Sequence, residues 1–126
     1  MILTDTSILI DYFKKHPAAT AFVERKGKVN LAINTVIAME LYQGVLNKKE
    51  FLMIQKELKG FFMLPINEQV CGMALQLSQE YALSHQIGLS DIFIASTALI
   101  FNIELRTLNL KDFRFIPNLN VSNSLS

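Results

Sequence analysis

Cysteine is almost absent from this sequence, and no apolar stretch is long enough to cross a membrane. Cys71 is the only cysteine, which excludes an intramolecular disulfide and a cysteine-based metal cluster; we expect it to be a small, buried residue of a helix. The longest uncharged apolar stretch, Ile92–Phe101, has ten residues, whereas a transmembrane helix needs about 20. The segment Met1–Asp5 has no basic residue and carries a carboxylate where a signal peptide is apolar. These features predict a cytoplasmic protein that is not inserted in a membrane.

Neither sign of charge predominates, and few residues interrupt regular structure. The sequence has 12 Lys and Arg against 11 Asp and Glu, a net charge of +1, which argues against binding of nucleic acid by bulk positive charge. No linker rich in Gly, Ser or Pro and no repeat divides the chain. With 126 residues, 51% of them hydrophobic, we expect one domain over residues 1–126, in which only residues 118–126 fray.

Apolar periodicity predicts short strands that alternate with helices. The predicted strands are Ile2–Thr4, Val29–Ile33, Phe61–Leu64, Ile103–Thr107 and a fifth strand that contains Val121. The predicted helices start after Asp5, at Pro17, after Asn34 or Thr35, near Phe51, after Asn67 and after Ser90, with Asp5, Asn34 or Thr35, Asn67 and Ser90 as N-caps. The third of these helices should reach about Leu46, and the last Phe101. This order predicts a three-layer α/β/α domain with a mainly parallel sheet of four to five strands.

Acidic residues from distant parts of the sequence fall at one edge of this predicted sheet. Asp5 follows the first strand, Asp91 opens a helix that leads into the fourth strand, and Asn109 and Asp112 follow that strand. Helix N-termini and strand carboxyl ends share one edge of a parallel sheet, where ligands usually bind. Taken singly, Asp5 and Asp91 have ordinary explanations as a helix cap and a first-turn charge, each worth about 1 kcal/mol, and Asp112 is typical of a turn.

Glu40 is harder to explain as an ordinary surface residue. It interrupts the apolar stripe of its helix, between Ile37 and Leu41. No Lys or Arg stands three or four residues away to neutralise it, and an unpaired buried carboxylate costs several kcal/mol. Here a functional role is the better interpretation.

A cluster of carboxylates is unfavourable unless a cation lies among them. Oxygen ligands without His or Cys suit Mg²⁺, or Mn²⁺, rather than zinc. His16 and His85 stand in polar surroundings and are expected at the surface. The residues alone therefore predict a magnesium site that includes Asp5, Glu40 and Asp91.

Four segments of the sequence resemble the PIN-domain nucleases, in the order in which that family has them. These segments are Asp5-Thr6-Ser7, Met39-Glu40-Leu41-Tyr42-Gln43-Gly44, Leu89-Ser90-Asp91-Ile92-Phe93-Ile94-Ala95 and Thr107-Leu108-Asn109-Leu110-Lys111-Asp112-Phe113. The likeness covers nearly the whole chain. Its length resembles the VapC-type toxins of type II toxin–antitoxin systems. The resemblance implies a PIN fold, RNA as the substrate, Mg²⁺-dependent endoribonuclease activity, a cognate antitoxin and a homodimer.

The resemblance also implies which residues carry the activity. Asp5, Glu40 and Asp91 match the acidic positions, and Asp5 and Asp91 would hold the ion while Glu40 orients or deprotonates the attacking water. Asn109 stands where family members often have a fourth acid; it offers a carbonyl oxygen without charge, so Asp112 is the candidate for the missing carboxylate, acting through water. A site charge near −3 favours one tightly held ion. Thr6 and Thr107 match hydroxyl residues that would orient the carboxylates.

Other interpretations of the acidic residues fit the sequence less well, with one exception. A receiver domain needs a phosphoacceptor Asp after the third strand, and Pro65-Ile66-Asn67 supplies none; an Asp-x-Asp phosphatase needs an acid where Ser7 stands. A catalytically inactive metal-binding or interaction module of the same fold is the surviving alternative. The basic clusters Lys14-Lys15, Arg25-Lys26-Lys28 and Lys48-Lys49 are either substrate contacts or, more simply, solvated faces. Nine Phe and five Met suggest apolar surface for a homodimer or an antitoxin.

Overall fold

The computed structural model describes residues 1–126 and consists of a five-stranded sheet flanked by six α-helices. The strands are β1 (Ile2–Thr4), β2 (Leu31–Asn34), β3 (Phe62–Leu64), β4 (Glu104–Arg106) and β5 (Val121–Ser122). The helices are α1 (Thr6–Phe13), α2 (Pro17–Lys26), α3 (Thr35–Gln43), α4 (Lys48–Leu58), α5 (Glu68–Tyr81) and α6 (Leu89–Phe101). Short 3₁₀ turns cover Lys28–Asn30 and Leu110–Asp112.

All five strands are parallel and lie in the order β3-β2-β1-β4-β5. Ile2 is paired with Leu31 of β2 on one side and with Glu104 of β4 on the other. The chain builds the sheet outward from β1 through β2 to β3, and then returns to the opposite side of β1 with β4. The strand order therefore reverses between β1 and β4, and ligands of such sheets bind at the carboxyl ends beside this point. The predicted fold class is confirmed.

The hydrophobic core contains 25 buried residues and extends over the sheet and the helices that cover it. In β2 all four residues are buried, because helices cover both faces of the parallel sheet. The alternation of apolar and polar residues predicted this strand, but its polar residues do not form an exposed face. Val29, which was included in the predicted strand, lies in a 3₁₀ turn and is 71% exposed.

Three of the predicted N-cap positions are confirmed and one is wrong. Asn34 and Asn67 each accept a hydrogen bond from the backbone N–H three residues ahead. Asp5 stands at the N-cap position of α1 but makes no capping hydrogen bond, because its carboxylate is engaged elsewhere. Ser90 lies inside α6, which is capped by Gly88 without a side-chain bond.

Two further predictions, about a helix face and a helix end, are wrong. Cys71 is exposed on α5: the buried positions of that helix are Val70, Ala74 and Leu77, so Cys71 falls outside the core-facing stripe. Helix α3 ends at Gln43, with Gly44 as its C-cap, rather than near Leu46.

The segment expected to fray, residues 118–126, is held by hydrogen bonds to the rest of the chain. It supplies β5, and the backbone N–H of Leu105 donates to the carbonyl of Asn120 at 2.8 Å. The guanidinium of Arg106 donates to the carbonyl of Ser124 at 3.0 Å, and that of Arg25 donates to the carbonyl of Leu125. Arginine side chains thus order a tail whose own composition is polar.

None of the helices combines the length and the apolar character that a membrane crossing requires.

Substitution of Asn34 tests how much its two hydrogen bonds contribute to stability. Its Oδ1 caps α3 by accepting from Ile37 N–H at 2.9 Å, its Nδ2 donates to Thr97 Oγ1 at 3.0 Å, and the residue is 0% exposed. We predict that Asn34→Ala lowers the free energy of unfolding by about 2–3 kcal/mol, since it removes a cap and a buried hydrogen bond together. Urea denaturation measures this loss.

Asn47 is the matched control, because it caps α4 at an exposed position by accepting from Glu50 N–H at 2.8 Å. Asn47→Ala is expected to cost about 1 kcal/mol. Equal losses in the two variants would show that the buried Asn34–Thr97 bond adds nothing.

Candidate acidic site

The strand pairing brings the predicted acidic residues to the carboxyl edge of the sheet. Thr4 is paired with Arg106, and the backbone N–H of Asp5 then donates to the Arg106 carbonyl at 3.0 Å. Asp5 therefore lies beside Thr107, which follows β4. Asp91 is in the first turn of α6, whose N-terminus lies at this same edge.

The carboxylate of Asp5 is fixed by two hydroxyl groups. Its Oδ2 accepts a hydrogen bond from Ser7 Oγ and another from Thr107 Oγ1, both at 2.8 Å. Each hydroxyl in turn accepts a backbone N–H at 3.0 Å, Ser7 from Leu108 and Thr107 from Asn109. Asp5 is only 4% exposed. The other carboxylate oxygen, Oδ1, has no hydrogen-bond partner in the protein and is the atom left to bind a cation.

Ser7 is a residue of the acidic site to which the sequence analysis assigned no role. It lies within the Asp5-Thr6-Ser7 segment, but only the two threonines were assigned an orienting role. The structure places Ser7 between Asp5 and the turn after β4, where it contacts both. The available signal was a small hydroxyl side chain two residues after a candidate carboxylate, at a helix start.

Glu40 approaches the site from α3 and is oriented by Thr6. Thr6 Oγ1 donates to Glu40 Oε1 at 2.7 Å. Glu40 is partly buried, and its helix neighbours Ile37 and Leu41 are buried in the core. The carboxylate thus does interrupt an apolar face, as its spacing predicted, and a hydroxyl group is its only hydrogen-bond partner in the protein.

The pKa of Asp91 reflects its burial and the proximity of the other acidic side chains. Partial burial, followed by the negative charges of Asp5, Asp112 and Glu40, raises the pKa of Asp91 to about 6. None of the ion pairs in the structure includes any of these four carboxylates. Four acidic side chains therefore share one region, and none of them forms an ion pair with a Lys, Arg or His side chain.

Asp112, rather than Asn109, is the residue after β4 that joins these acids. Asp112 is partly buried and lines a cleft of about 190 Å³ together with Asp91. Asn109 is exposed, and its contact with the site is the hydrogen bond from its backbone N–H to Thr107. The structure thus brings Asp5, Glu40, Asp91 and Asp112 together, while the Asn109 side chain makes no hydrogen bond to any of them.

The donor set fits a hard divalent cation that keeps part of its water shell. No three His, Cys, Asp or Glu side chains are close enough to enclose an ion by themselves. Mg²⁺ is commonly held by one or two carboxylates and several waters, which this arrangement can provide. Asp5 Oδ1 and the Asp91 carboxylate make no hydrogen bond in the protein and are the groups best suited to direct contact.

Residues 2–116 of the sequence match the PIN domain family. The chain belongs to the PIN-domain family. Ribonuclease VapC1 of Methanocaldococcus jannaschii is 36% identical over 118 residues, which cover 89% of this chain and 78% of that protein. Ribonuclease VapC10 of Mycobacterium tuberculosis (strain ATCC 25618 / H37Rv) is 32% identical over 121 residues, 94% of this chain and 90% of that protein.

Solved structures give the same result for this PIN domain. A toxin–antitoxin complex from Klebsiella pneumoniae has a TM-score of 0.81 and 30% identity, and the alignment covers 100% of this chain and 98% of that chain. VapBC2 from Rickettsia felis, bound to a DNA fragment from its promoter, has a TM-score of 0.80 and 30% identity, with 98% and 99% of the two chains covered. The resemblance to VapC-type PIN domains that four sequence segments indicated is confirmed.

The raised pKa of Asp91 makes the stability of the PIN domain depend on pH. The pKa of an ordinary Asp is about 4. Between this pH and about 6, Asp91 is therefore protonated in the folded state and ionised in the unfolded state. The stability contribution of Asp91 therefore falls as the pH rises through this range, and the ionised group destabilises the fold above it. We predict that Asp91→Asn raises the Tm of the metal-free protein at pH 7.5, and that this difference disappears toward pH 4.

Calorimetry in chelator and in Mg²⁺ measures both parts of this effect. Asp11→Asn is the control, because Asp11 is paired with His16 at 3.3 Å outside the cluster. Added Mg²⁺ should raise the Tm of the unmodified protein more than that of Asp91→Asn. A Tm difference between Asp91→Asn and the unmodified protein that stays constant from pH 4 to pH 7.5 would contradict the assigned carboxylate repulsion.

Proposed function

We propose that this PIN domain is a Mg²⁺-dependent endoribonuclease that hydrolyses phosphodiester bonds of RNA. The observation that carries the proposal is the gathering of Asp5, Glu40, Asp91 and Asp112 without an ion-pair partner. Burial, followed by the charges of the other three acids, raises the pKa of Asp91 to about 6. Such repulsion is costly for a fold and is relieved by a bound divalent ion. Two relatives of this chain are named ribonucleases, VapC1 and VapC10, which supports RNA cleavage as the activity.

The chain's own residues divide the work of the reaction. Asp5, oriented by Ser7 and Thr107, and Asp91 would hold Mg²⁺, with Mn²⁺ as a substitute. A bound ion supplies positive charge opposite the negative charge that develops on the phosphodiester. Glu40, oriented by Thr6, positions the attacking water and accepts its proton.

We assign the fourth acidic function to Asp112. Its proximity to Asp91 supports an action through water on the same ion, and it restores the charge that Asn109 does not bring. Asn109 is the weaker candidate, because its side chain is exposed and its backbone already serves Thr107.

We further propose that the enzyme is the toxin of a toxin–antitoxin pair, forms a homodimer and acts in the cytoplasm on cellular RNA. The solved structures that it resembles are toxin–antitoxin complexes. Its surface supports protein partners: a groove of about 650 Å³ passes Tyr12, Phe13 and Met53 between α1, α2 and α4. Leu46 and Leu89, which are 87% and 76% exposed, add further apolar surface.

An RNA cleavage assay tests the activity. We predict that the protein cuts mixed RNA in Mg²⁺ or Mn²⁺ and not in chelator. Asp5→Asn and Asp91→Asn should lower the rate by more than about 100-fold, and Asp112→Asn by about 10- to 100-fold, since outer partners of a metal contribute less than its ligands. Gel analysis of labelled RNA gives the rates.

Asp11→Asn again serves as the control and should cleave at the unmodified rate. Cleavage that continues in chelator, or in both the Asp5→Asn and Asp91→Asn variants, would reject the metal-dependent mechanism. If none of these metals supports cleavage, the chain is an inactive metal-binding or interaction module of the same fold.

The exposed apolar side chains predict self-association. We expect size-exclusion chromatography with light scattering to give twice the mass of 14.3 kDa across a wide range of protein concentrations. The physical reason is that pairing removes apolar surface from water, at about 25 cal/mol per Å². A monomer at every concentration would reject the homodimer and leave the nuclease assignment intact.

A further inference from the structure

The carboxylates of the acidic site repel the phosphates of RNA, while a bound divalent ion attracts them. The RNA phosphates are negative, and the site itself consists of Asp5, Glu40, Asp91 and Asp112. One divalent ion offsets only part of this charge. Groups beside the carboxylates must therefore supply the rest of the binding free energy, by stacking on bases and by local positive charge.

Two clefts border the carboxylates, and they differ in chemistry. The cleft of about 300 Å³ beside Glu40 contains a second carboxylate, Glu50, one lysine, Lys14, and one phenyl ring, Phe13. The cleft of about 190 Å³ beside Asp91 and Asp112 is bordered by an imidazole, a phenyl ring and an ammonium group, from His85, Phe115 and Lys111. Single-stranded RNA requires aromatic faces combined with positive charge. Both clefts have a ring and a lysine, but only the second has an exposed ring, His85, stacked on another ring.

His85 and Phe115 are stacked face to face in this second cleft. Their ring centroids are 3.9 Å apart and their planes differ by 8°. Tyr81 meets both rings edge-on, with centroids at 5.5 Å from His85 and 5.0 Å from Phe115. Phe115 is packed against the hydrophobic core, whereas His85 is exposed. One face of the imidazole is therefore covered by Phe115 and the other is open to solvent.

Two contacts favour the present orientation of the imidazole in the free protein. His85 Nδ1 and Ser84 Oγ form a hydrogen bond of 2.7 Å, and Phe115 gives the ring a rigid support. A base that stacks on this face has little ordering entropy to offset, because the aromatic surface is preorganised.

We propose that His85, Phe115 and Lys111 form a nucleotide subsite, in which an unpaired base of RNA stacks on His85 and its phosphate faces Lys111. We call these three residues the His85 platform. The proposal rests on the proposed function, because the platform adjoins Asp91 and Asp112 and so binds the nucleotide next to the phosphodiester that is cut. The cleft that the platform borders has a volume of about 190 Å³, below the roughly 300–1,000 Å³ of pockets for whole small ligands. A cleft of this size accommodates part of one nucleotide.

The platform favours unpaired RNA over a duplex. A base inside a helix is stacked on both faces and cannot lie on a protein ring, whereas bases of loops and single strands can. The subsite thus specifies the structural class of the substrate: a single-stranded segment or a loop at the cleavage point.

Binding of RNA to the full-length protein tests the platform. The probe is a fluorescein-labelled single-stranded RNA that contains a cleavage site mapped in the cleavage assay. Binding is measured in Mg²⁺ by anisotropy, with Asp5→Asn present in every protein so that the RNA is not consumed. We expect His85→Ala to weaken binding about tenfold and His85→Phe, which keeps an aromatic face, to restore it.

Position along the RNA provides a second readout. In a series of RNAs that each lack one base, a single position next to the cleavage point should make binding insensitive to His85→Ala. Lys111→Ala should reduce the slope of log affinity against log salt by about one. His16→Ala and Lys56→Ala, which change an exposed histidine and an exposed lysine elsewhere, are the matched controls and should leave affinity and slope unchanged.

The outcomes separate the platform from the proposed activity. If the RNA is cut and bound but His85→Ala, with an unchanged Tm, binds as tightly as the parent, the platform is rejected and the nuclease stands. A duplex of the same sequence that binds as tightly as the single strand would also reject the platform and leave the nuclease in place. If the unmodified protein cuts no RNA with Mg²⁺ or Mn²⁺, the proposed function fails, and the platform is rejected with it.

Discussion

The hydrogen bonds from Ser7 and Thr107 to one oxygen of Asp5 connect the two halves of this fold at its site. They join the start of α1 to the turn after β4, at the point where the strand order reverses. The backbone N–H groups of Leu108 and Asn109 complete the connection by donating to the same hydroxyls. Without these bonds the buried Asp5 would be an unpaired charge, which costs several kcal/mol. With them, one oxygen is fixed and the other stays available to a cation.

The site departs from the local consistency of the rest of the molecule. Elsewhere the sequence agrees with the fold: apolar residues fill the sheet, and Asn34, Asn47 and Asn67 cap their helices. At the carboxyl edge the chain instead holds four acids near one another, and partial burial together with the neighbouring charges raises the pKa of Asp91 to about 6. Conflicts of this kind concentrate at functional sites, where a ligand relieves them. The stability that the core supplies is what allows the acids to be held together before an ion binds.

The sequence could predict the layers, the strands and the acidic positions, because each depends on periodicity or on a general rule of parallel sheets. Glu40 was identifiable since a carboxylate in an apolar stripe has no ordinary explanation. Ser7 was not, because its contact with the turn after β4 depends on the exact register of β1 against β4. The contacts of Ser124 and Leu125 were missed for a similar reason, since the bonds from Arg106 and Arg25 come from outside the tail. Cys71 was misplaced because its neighbour Val70 occupies the buried position.

The turn after β4 connects the orientation of the carboxylates to the proposed nucleotide subsite. Within Thr107–Phe115 the chain supplies a hydroxyl to Asp5, the acid Asp112, the cation Lys111 and the ring under His85. Phe113, within this segment, is fully buried and anchors it to the core. Groups that are in contact or in one hydrogen-bond network do not contribute independently. A nucleotide that stacks on the platform therefore acts on the same element that positions Asp5 and Asp112, and substrate binding and metal binding are expected to be coupled through it.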